Sequence, residues 1–162
     1  MAIEIFTTGG TIDKLYFDAK SSFQVGEPQL PELLKEANLI LDLKVTSLLR
    51  KDSLELTAAD RETIRLAVTQ SANDRIVVTH GTDTMVETAR TLLNIQGKTI
   101  VLTGAMQPSR FRSTDALYNV ASALTAVQIL PAGVYIAMNG QIFDPHNTRK
   151  NIADNRFEMI KP

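Results

Sequence analysis

Threonines, glycines and one lysine are the residues of this sequence whose types and spacing suit chemistry. Thr11 follows two glycines, and Thr82, Asp83 and Lys150 occur further along the chain. A threonine hydroxyl is a weak nucleophile until a base takes its proton. Adjacent glycines let backbone N–H groups approach a substrate and stabilise an oxyanion. These residue types therefore suit nucleophilic attack on a carbonyl carbon.

Few residues of the chain can act as the base for such an attack. The chain has no cysteine and two histidines. We interpret His80 as a hydrogen-bonded structural histidine and His146 as a loop residue. Lys150 is then the best candidate, because an amine accepts a proton when burial or a nearby cation favours its neutral form. Together with Thr82 and Asp83 it would parallel the hydroxyl, base and acid of serine hydrolases.

Each of these residues also has a purely structural interpretation. Gly9-Gly10 suits a tight turn after a strand, and residues 82–84 suit the N-cap of a helix. In the structural interpretation Asp52-Ser53 caps a turn, and Lys150 is a surface lysine whose amine is solvated. Spacing alone does not decide between the structural and the catalytic interpretation.

Alternating strands and helices must position these residues. Short segments rich in isoleucine, valine and leucine predict strands over residues 2–6, 44–49, 76–79, 99–103 and 134–138. Apolar residues at helical spacing predict helices over residues 30–37, 57–71, 84–93 and 115–129, the second beginning with a Thr57–Asp60 capping box. This alternation predicts an α/β fold, a three-layer flavodoxin- or Rossmann-like domain with a mainly parallel sheet. Ligands bind outside the carboxyl ends of such strands, so the residues that follow each strand are expected to meet there.

Two connecting segments have features of their own. Asn139-Gly140 separates two short apolar runs and has the residue types that a type I′ turn needs, which predicts a C-terminal β-hairpin. Residues 13–28 lack a periodic pattern and contain Tyr16, Phe17 and Phe23. A loop of this length in a compact domain is usually functional, so we predict a lid there.

Composition narrows the function classes. The chain has 162 residues, a net charge of −1 and scattered basic residues, which disfavours nucleic acid as a partner. The absence of cysteine and the low histidine count predict no metal and no cofactor, and neither nucleotide-binding glycine fingerprint is present. A phosphate-binding flavodoxin-like function is therefore disfavoured. No apolar run suits a membrane span or a secretory signal, so we expect no membrane association and a cytoplasmic location.

Taken together, the motifs resemble those of the bacterial-type L-asparaginase and glutaminase family of threonine amidohydrolases. The resemblance rests on Thr8-Gly9-Gly10-Thr11-Ile12, His80-Gly81-Thr82-Asp83-Thr84-Met85, Thr103-Gly104-Ala105-Met106 and Lys150. These motifs occur in the family's order and span nearly the whole chain. The structural interpretation is correspondingly less favoured at the matched positions.

The resemblance implies a role for each matched residue. Thr11 would attack the side-chain amide of L-asparagine, and water would resolve the acyl-enzyme after ammonia has left. Thr82, Asp83 and Lys150 would form a second catalytic group, with Asp83 also binding the α-amino group. Ser53 would bind the α-carboxylate, and the backbone of Ala105 would contact the side-chain amide. Gly10 and Gly81 are implied as substrate-binding residues beside Ser53 and Ala105.

The sequence departs from the family pattern at several positions. The family's lid carries a tyrosine that activates the nucleophile, and the aligned residue here is Phe23. We hypothesise that Tyr16 reaches the same site from another lid position. Leu54 replaces a glutamine that usually follows the carboxylate-binding serine. The loop that contains Arg110 and Arg112 is shorter than usual.

Length is the largest departure from the family pattern. Family members have a second domain, and that domain of a neighbouring subunit completes each active site. We expect residues 1–162 to form one domain of the N-terminal catalytic type, without the C-terminal domain, in a homo-oligomer (dimer or tetramer) that closes the site. The alternatives are a broader asparaginase-glutaminase and a sensor that binds asparagine or aspartate with little turnover. A pure binder needs neither the nucleophile nor the base, which favours the enzyme.

Overall fold

Ten strands and four α-helices make up the fold of residues 1–160, which are the residues that the computed structural model describes. The strands are β1 (Ala2–Gly9), β2 (Lys14–Phe17), β3 (Ser22–Val25), β4 (Asp42–Lys51), β5 (Arg75–Thr79), β6 (Thr99–Thr103), β7 (Gly133–Met138), β8 (Gln141–Phe143), β9 (Thr148–Asn151) and β10 (Arg156–Met159). The helices are α1 (Leu30–Glu36), α2 (Ala58–Gln70), α3 (Met85–Thr91) and α4 (Ala116–Ile129).

The central sheet has six strands in the order β4-β1-β5-β6-β7-β8. The first five are parallel, and β8 pairs antiparallel with β7. All five predicted strands and all four predicted helices are confirmed, with ends that shift by up to three residues. The turn between β7 and β8 has positive φ at both Asn139 (52°) and Gly140 (73°), which confirms the predicted type I′ residues and the hairpin.

The helices cover both faces of the sheet. Because side chains alternate along a strand, Ile3 and Ile5 of β1 face the layer of α1 and α4, while Phe6 faces the layer of α2 and α3. All three side chains are buried. Each face therefore has its own apolar core, and the three-layer α/β prediction is confirmed.

The start of α2 follows from its sequence. Thr57 Oγ1 accepts a hydrogen bond from the Asp60 amide (3.2 Å), and Asp60 accepts one from the Thr57 amide (2.8 Å). This is the predicted capping box. The Thr57 amide and the Lys51 ammonium hold the pKa of Asp60 at about 2. The box fixes the chain direction directly after the loop that contains Ser53.

The prediction of an irregular loop over residues 13–28 is wrong for half of that segment. Strands β2 and β3 pair antiparallel, with Tyr16 opposite Phe23, and we call this pair the lid hairpin. The chain reverses at Ser21, which has a φ of 48°. Tyr16, Phe17 and Phe23 are all exposed, so neither face of the hairpin is buried. Without a buried face the sequence shows no period of two, which is why the strands were not predicted.

A second antiparallel pair, β9–β10, follows β8 and was also not predicted. It places Lys150 opposite Phe157, which is 2% exposed and belongs to the α2–α3 core. Among the helices of residues 1–160, none is long and apolar enough to cross a membrane.

Candidate active site

Three loops meet backbone to backbone at the carboxyl end of the sheet. A Cβ atom on Gly10 would lie 2.4 Å from Gly81 Cα, and a Cβ on Gly81 would lie 2.6 Å from Ser53 Cβ. The φ of Gly10 is +89°, which residues with a Cβ rarely adopt. Gly10 and Gly81 therefore have to be glycines for the loops after β1, β4 and β5 to touch. This contact brings the neighbours Thr11 and Thr82 to the same edge of the sheet.

Lys150 joins this edge from β9. Its Nζ donates to Thr82 Oγ1 at 2.7 Å and to Asp83 Oδ1 at 2.6 Å, across 68 and 67 residues of sequence. The Lys150 side chain is only 13% exposed. Lys150 is thus not a solvated surface lysine, and the three residues form one hydrogen-bonded group.

Ser53 has a buried hydroxyl without a partner among the described residues. The residue is 1% exposed, and its Oγ makes no hydrogen bond. Asp52 caps the turn by accepting from the Leu54 amide (3.2 Å), as the structural interpretation predicts for that residue. Leaving a buried hydroxyl unpaired costs free energy, so a polar group of a ligand would gain by pairing with Ser53.

The sequence did not point to two residues that hold the loops of the site. Thr84 is the N-cap residue of α3 but makes no side-chain cap bond, and its hydroxyl donates to the carbonyl of Ser53 at 2.8 Å. Asp115 accepts hydrogen bonds from the amides of Met106 (2.9 Å) and Gln107 (3.0 Å), and so fixes the loop that follows Ala105. Both residues stand at helix starts, where sequence alone predicts caps. The acceptor of Thr84 lies on another loop, and the donors to Asp115 lie nine and eight residues earlier in the chain.

Tyr16 lies on the lid hairpin and is 52% exposed. Its ring meets the ring of Phe23 edge to face, with a centroid distance of 5.2 Å. Lys14 at the base of the hairpin pairs with Asp52 at 2.8 Å. The lid hairpin is therefore tied to the loop that contains Ser53.

His80 is a structural residue, as predicted. It is fully buried, and its Nδ1 lies 2.7 Å from the carbonyl oxygen of Gly81. A carbonyl only accepts, so Nδ1 carries the proton and Nε2 accepts from the Thr88 hydroxyl at 2.8 Å. Burial lowers the pKa of His80 to about 4, and the ring stays neutral at physiological pH.

Asp13 is a buried carboxyl two residues after Thr11. It accepts a hydrogen bond from the Gln29 amide at 2.9 Å, and its own carbonyl accepts from Gly26 at the same distance. Burial raises the pKa of Asp13 to about 6, although the Gln29 amide and Arg50 act in the opposite direction. Asp13 therefore joins the two ends of the lid segment, while burial disfavours the ionised form of its carboxyl.

We expect the stability contributions of His80 and Asp13 to oppose each other between pH 5 and 6. The folded pKa of His80 is below its ordinary value of 6.5, so its contribution to stability is present above pH 6.5 and is lost towards pH 4. The folded pKa of Asp13 is above its ordinary value of 3.8, so its contribution is present below pH 3.8 and is lost as pH rises through about 6.

The Asp13→Asn variant isolates the contribution of His80. Its free energy of unfolding should rise by about 1 kcal/mol from pH 5 to pH 6, whereas that of the wild type should stay nearly constant. Urea unfolding followed by circular dichroism at both pH values checks this expectation. Equal slopes for the two proteins would contradict it.

Comparisons with known proteins find similarity over almost the whole chain. The family model "Asparaginase, N-terminal" matches residues 2–161. One subunit of the glutamyl-tRNA(Gln) amidotransferase of Methanococcus vannielii is 34% identical over 154 residues, covering 88% of this chain and 35% of that protein. The glutaminase-asparaginase of Acinetobacter glutaminasificans is 32% identical, covering 93% of this chain and 50% of that protein. The chain thus spans half or less of the length of these relatives.

Solved structures give the same result for the fold. The probable cytoplasmic L-asparaginase of Campylobacter jejuni superimposes with a TM-score of 0.83 at 29% identity. The match covers 97% of this chain and 52% of that structure.

Proposed function

The chain belongs to the asparaginase family, whose N-terminal domain it matches over residues 2–161, and on this basis we propose that it hydrolyses L-asparagine to L-aspartate and ammonia. The observation that carries the proposal is the hydrogen-bonded group of Lys150, Thr82 and Asp83, in which Lys150 and Thr82 are largely buried and which follows directly on the Gly10–Gly81 contact. A binding module would not need a lysine held against a threonine hydroxyl. The proposal needs no metal or cofactor.

In the proposed reaction Thr11 Oγ bonds to the amide carbon of the substrate. The carbon–nitrogen bond then breaks, the nitrogen takes up a proton and ammonia leaves. Water attacks the resulting ester, and aspartate leaves with regeneration of the Thr11 hydroxyl. The 2.7 Å contact between Lys150 Nζ and Thr82 Oγ1 suits proton transfer in either direction, which both halves of the reaction need.

Substrate binding in this proposal uses the groups that meet at the carboxyl end of the sheet. The unpaired Ser53 hydroxyl would donate to the α-carboxylate, and the Asp83 carboxylate would pair with the α-amino group. The backbones of Gly10 and Gly81 would contact the substrate from the point where their loops meet. The backbone of Ala105 would contact the side-chain amide from a loop that Asp115 holds in place.

Ammonia release by the purified protein tests the proposal. Release with asparagine above the rate without substrate is the expected result, and a parallel assay with glutamine measures how broad the specificity is. Binding of asparagine without ammonia release would instead favour the sensor. No binding and no release would reject both functions.

We expect Tyr16→Phe to lower kcat because Tyr16 is the hydroxyl that we propose to activate Thr11 from the lid. The loss should be about 10²-fold, at the lower end of the range for removal of an acid–base group. Steady-state kinetics with asparagine measure it, and Tyr118→Phe, on the exposed face of α4, serves as a matched control. Full activity of Tyr16→Phe would show that Tyr16 has no such role.

The partner and location predictions remain proposals. We propose a homo-oligomer, dimer or tetramer, in a cytoplasmic setting. A neighbour that is described as a probable cytoplasmic L-asparaginase supports the location. Sedimentation velocity on the same samples tests the assembly, and a strictly monomeric, fully active protein would contradict it.

A further inference from the structure

The short loop between β6 and α4 contacts the lid segment at three places through three consecutive residues. The Ser109 amide donates to the Ile12 carbonyl at 3.2 Å, directly before the lid hairpin. Arg110 Nε donates to Gln29 Oε1 at 2.5 Å, four residues after the end of the hairpin. The Phe111 ring lies 5.4 Å from the ring of Phe23, within the hairpin itself. One loop therefore touches the beginning, the middle and the end of the lid segment.

The contact with Phe23 continues to Tyr16. The Phe111 and Phe23 rings meet edge to face at 70°, and the Phe23 and Tyr16 rings meet at 61°. We call these three rings the aromatic row. Phe111, Phe23 and Tyr16 are 40%, 47% and 52% exposed, so the row is a surface contact and not part of either core.

The loop is a firm support for this row. Asp115 accepts from the amides of Met106 and Gln107, and the Thr114 hydroxyl donates to the Gln107 carbonyl at 3.0 Å. The contacts of Lys14 with Asp52 and of Gly26 with Asp13 hold only the two ends of the hairpin. Among the side-chain hydrogen bonds, ion pairs and ring pairs of residues 1–160, the aromatic row is the contact that links the middle of the hairpin to the rest of the chain.

We propose that Phe111 is a positioning residue that acts through Phe23 to hold the lid hairpin, and Tyr16 with it, in the arrangement that the structure shows. The effect on catalysis rests on the proposed function. The effect on the hairpin does not, because it follows from the ring contacts alone. Edge-to-face pairs of this kind contribute enough to change an opening equilibrium by about three- to tenfold.

Limited proteolysis tests the proposal independently of activity. Lys20 is exposed between β2 and β3, and trypsin cleavage after it yields a new terminus at Ser21 that mass spectrometry identifies. Phe111→Ala should raise the rate of this cleavage about three- to tenfold. Phe111→Tyr should keep the wild-type rate because it keeps the ring edge. Phe17→Ala, an exposed lid aromatic outside the row, is the matched control and should leave the rate nearly unchanged.

A double variant decides whether the effect passes through Phe23. Phe23→Ala combined with Phe111→Ala should be cleaved no faster than Phe23→Ala alone. Additive increases, or an unchanged rate in Phe111→Ala, would overturn the proposal.

The kinetic consequence is a separate readout. In a protein that releases ammonia, Phe111→Ala should raise KM for asparagine by the factor by which the fraction of hairpins held in this arrangement falls, which is smaller than the rise in cleavage. Faster cleavage with unchanged KM and kcat would overturn the positioning role. If the wild type hydrolyses no asparagine, the proposed function is rejected. The proteolysis rates then decide by themselves whether Phe111 holds the hairpin.

Discussion

Thr11→Ala is expected to lower the rate of asparagine hydrolysis by about 10³-fold or more, because it removes the nucleophile of the proposed reaction. The loss should appear in kcat, since Ser53 and Asp83 would still bind the substrate in the proposed reaction. Ammonia release under saturating asparagine measures it. The residue is half-buried and its backbone lies in a short turn after Gly10, so the variant should fold like the wild type.

Thr11→Ser is the matched control for this prediction. It keeps the hydroxyl and removes only a methyl group, so it should retain measurable turnover while Thr11→Ala does not. Equal melting temperatures of the two variants would show that folding is not the cause. Turnover by Thr11→Ala within about 10-fold of the wild type would mean that another residue attacks the amide.

The second large effect is expected for Lys150→Met. The ammonium donates to both Thr82 and Asp83, and its removal takes away the group that exchanges a proton with Thr82. Loss of a general acid–base group lowers rates by about 10²- to 10⁴-fold. The readout is kcat for asparagine, with thermal unfolding of the same sample as a check on folding.

Arg149→Met provides the control for Lys150→Met. Arg149 precedes Lys150 on β9, is exposed and pairs with Glu158 at 2.7 Å. It carries the same charge as Lys150 but faces solvent, where ion pairs contribute little. Its replacement should change kcat by less than about twofold, and an equal loss in both variants would point to a general effect of charge and not to proton transfer.

Much of the fold was predictable because its core elements carry strong patterns. Residues 99–103 are a continuous apolar run with threonine at each end, and all are buried as the central strand β6. The Asn139-Gly140 turn was predictable because few residue pairs tolerate positive φ at two successive positions. In both cases local sequence and tertiary environment favour the same structure.

The hairpins outside the central sheet were not predictable in this way. The side chains of the lid hairpin stay exposed or half-buried, so no alternation marks β2 or β3. Strand β9 pairs with β10 in a two-stranded sheet whose buried apolar side chain is Phe157 of β10. Strands of this kind depend on contacts that only the completed fold provides.

The candidate site was predictable in its residue types but not in its supports. Thr82, Asp83 and Lys150 form the expected group, and Gly10, Gly81 and Ser53 meet where the ends of parallel strands converge. Thr84 and Asp115 support these loops through bonds that span 31 and 9 residues. No local pattern encodes such partners, because both residues look like ordinary helix caps in the sequence.

The most direct test of the account is to locate the covalent intermediate. Samples that are turning over asparagine would be quenched in acid, digested and mapped by mass spectrometry. The account predicts one aspartyl ester, on the peptide that contains Thr11, and its absence from Thr11→Ala. An ester on Thr82 or on any other residue, or aspartate formation without any ester, would contradict it.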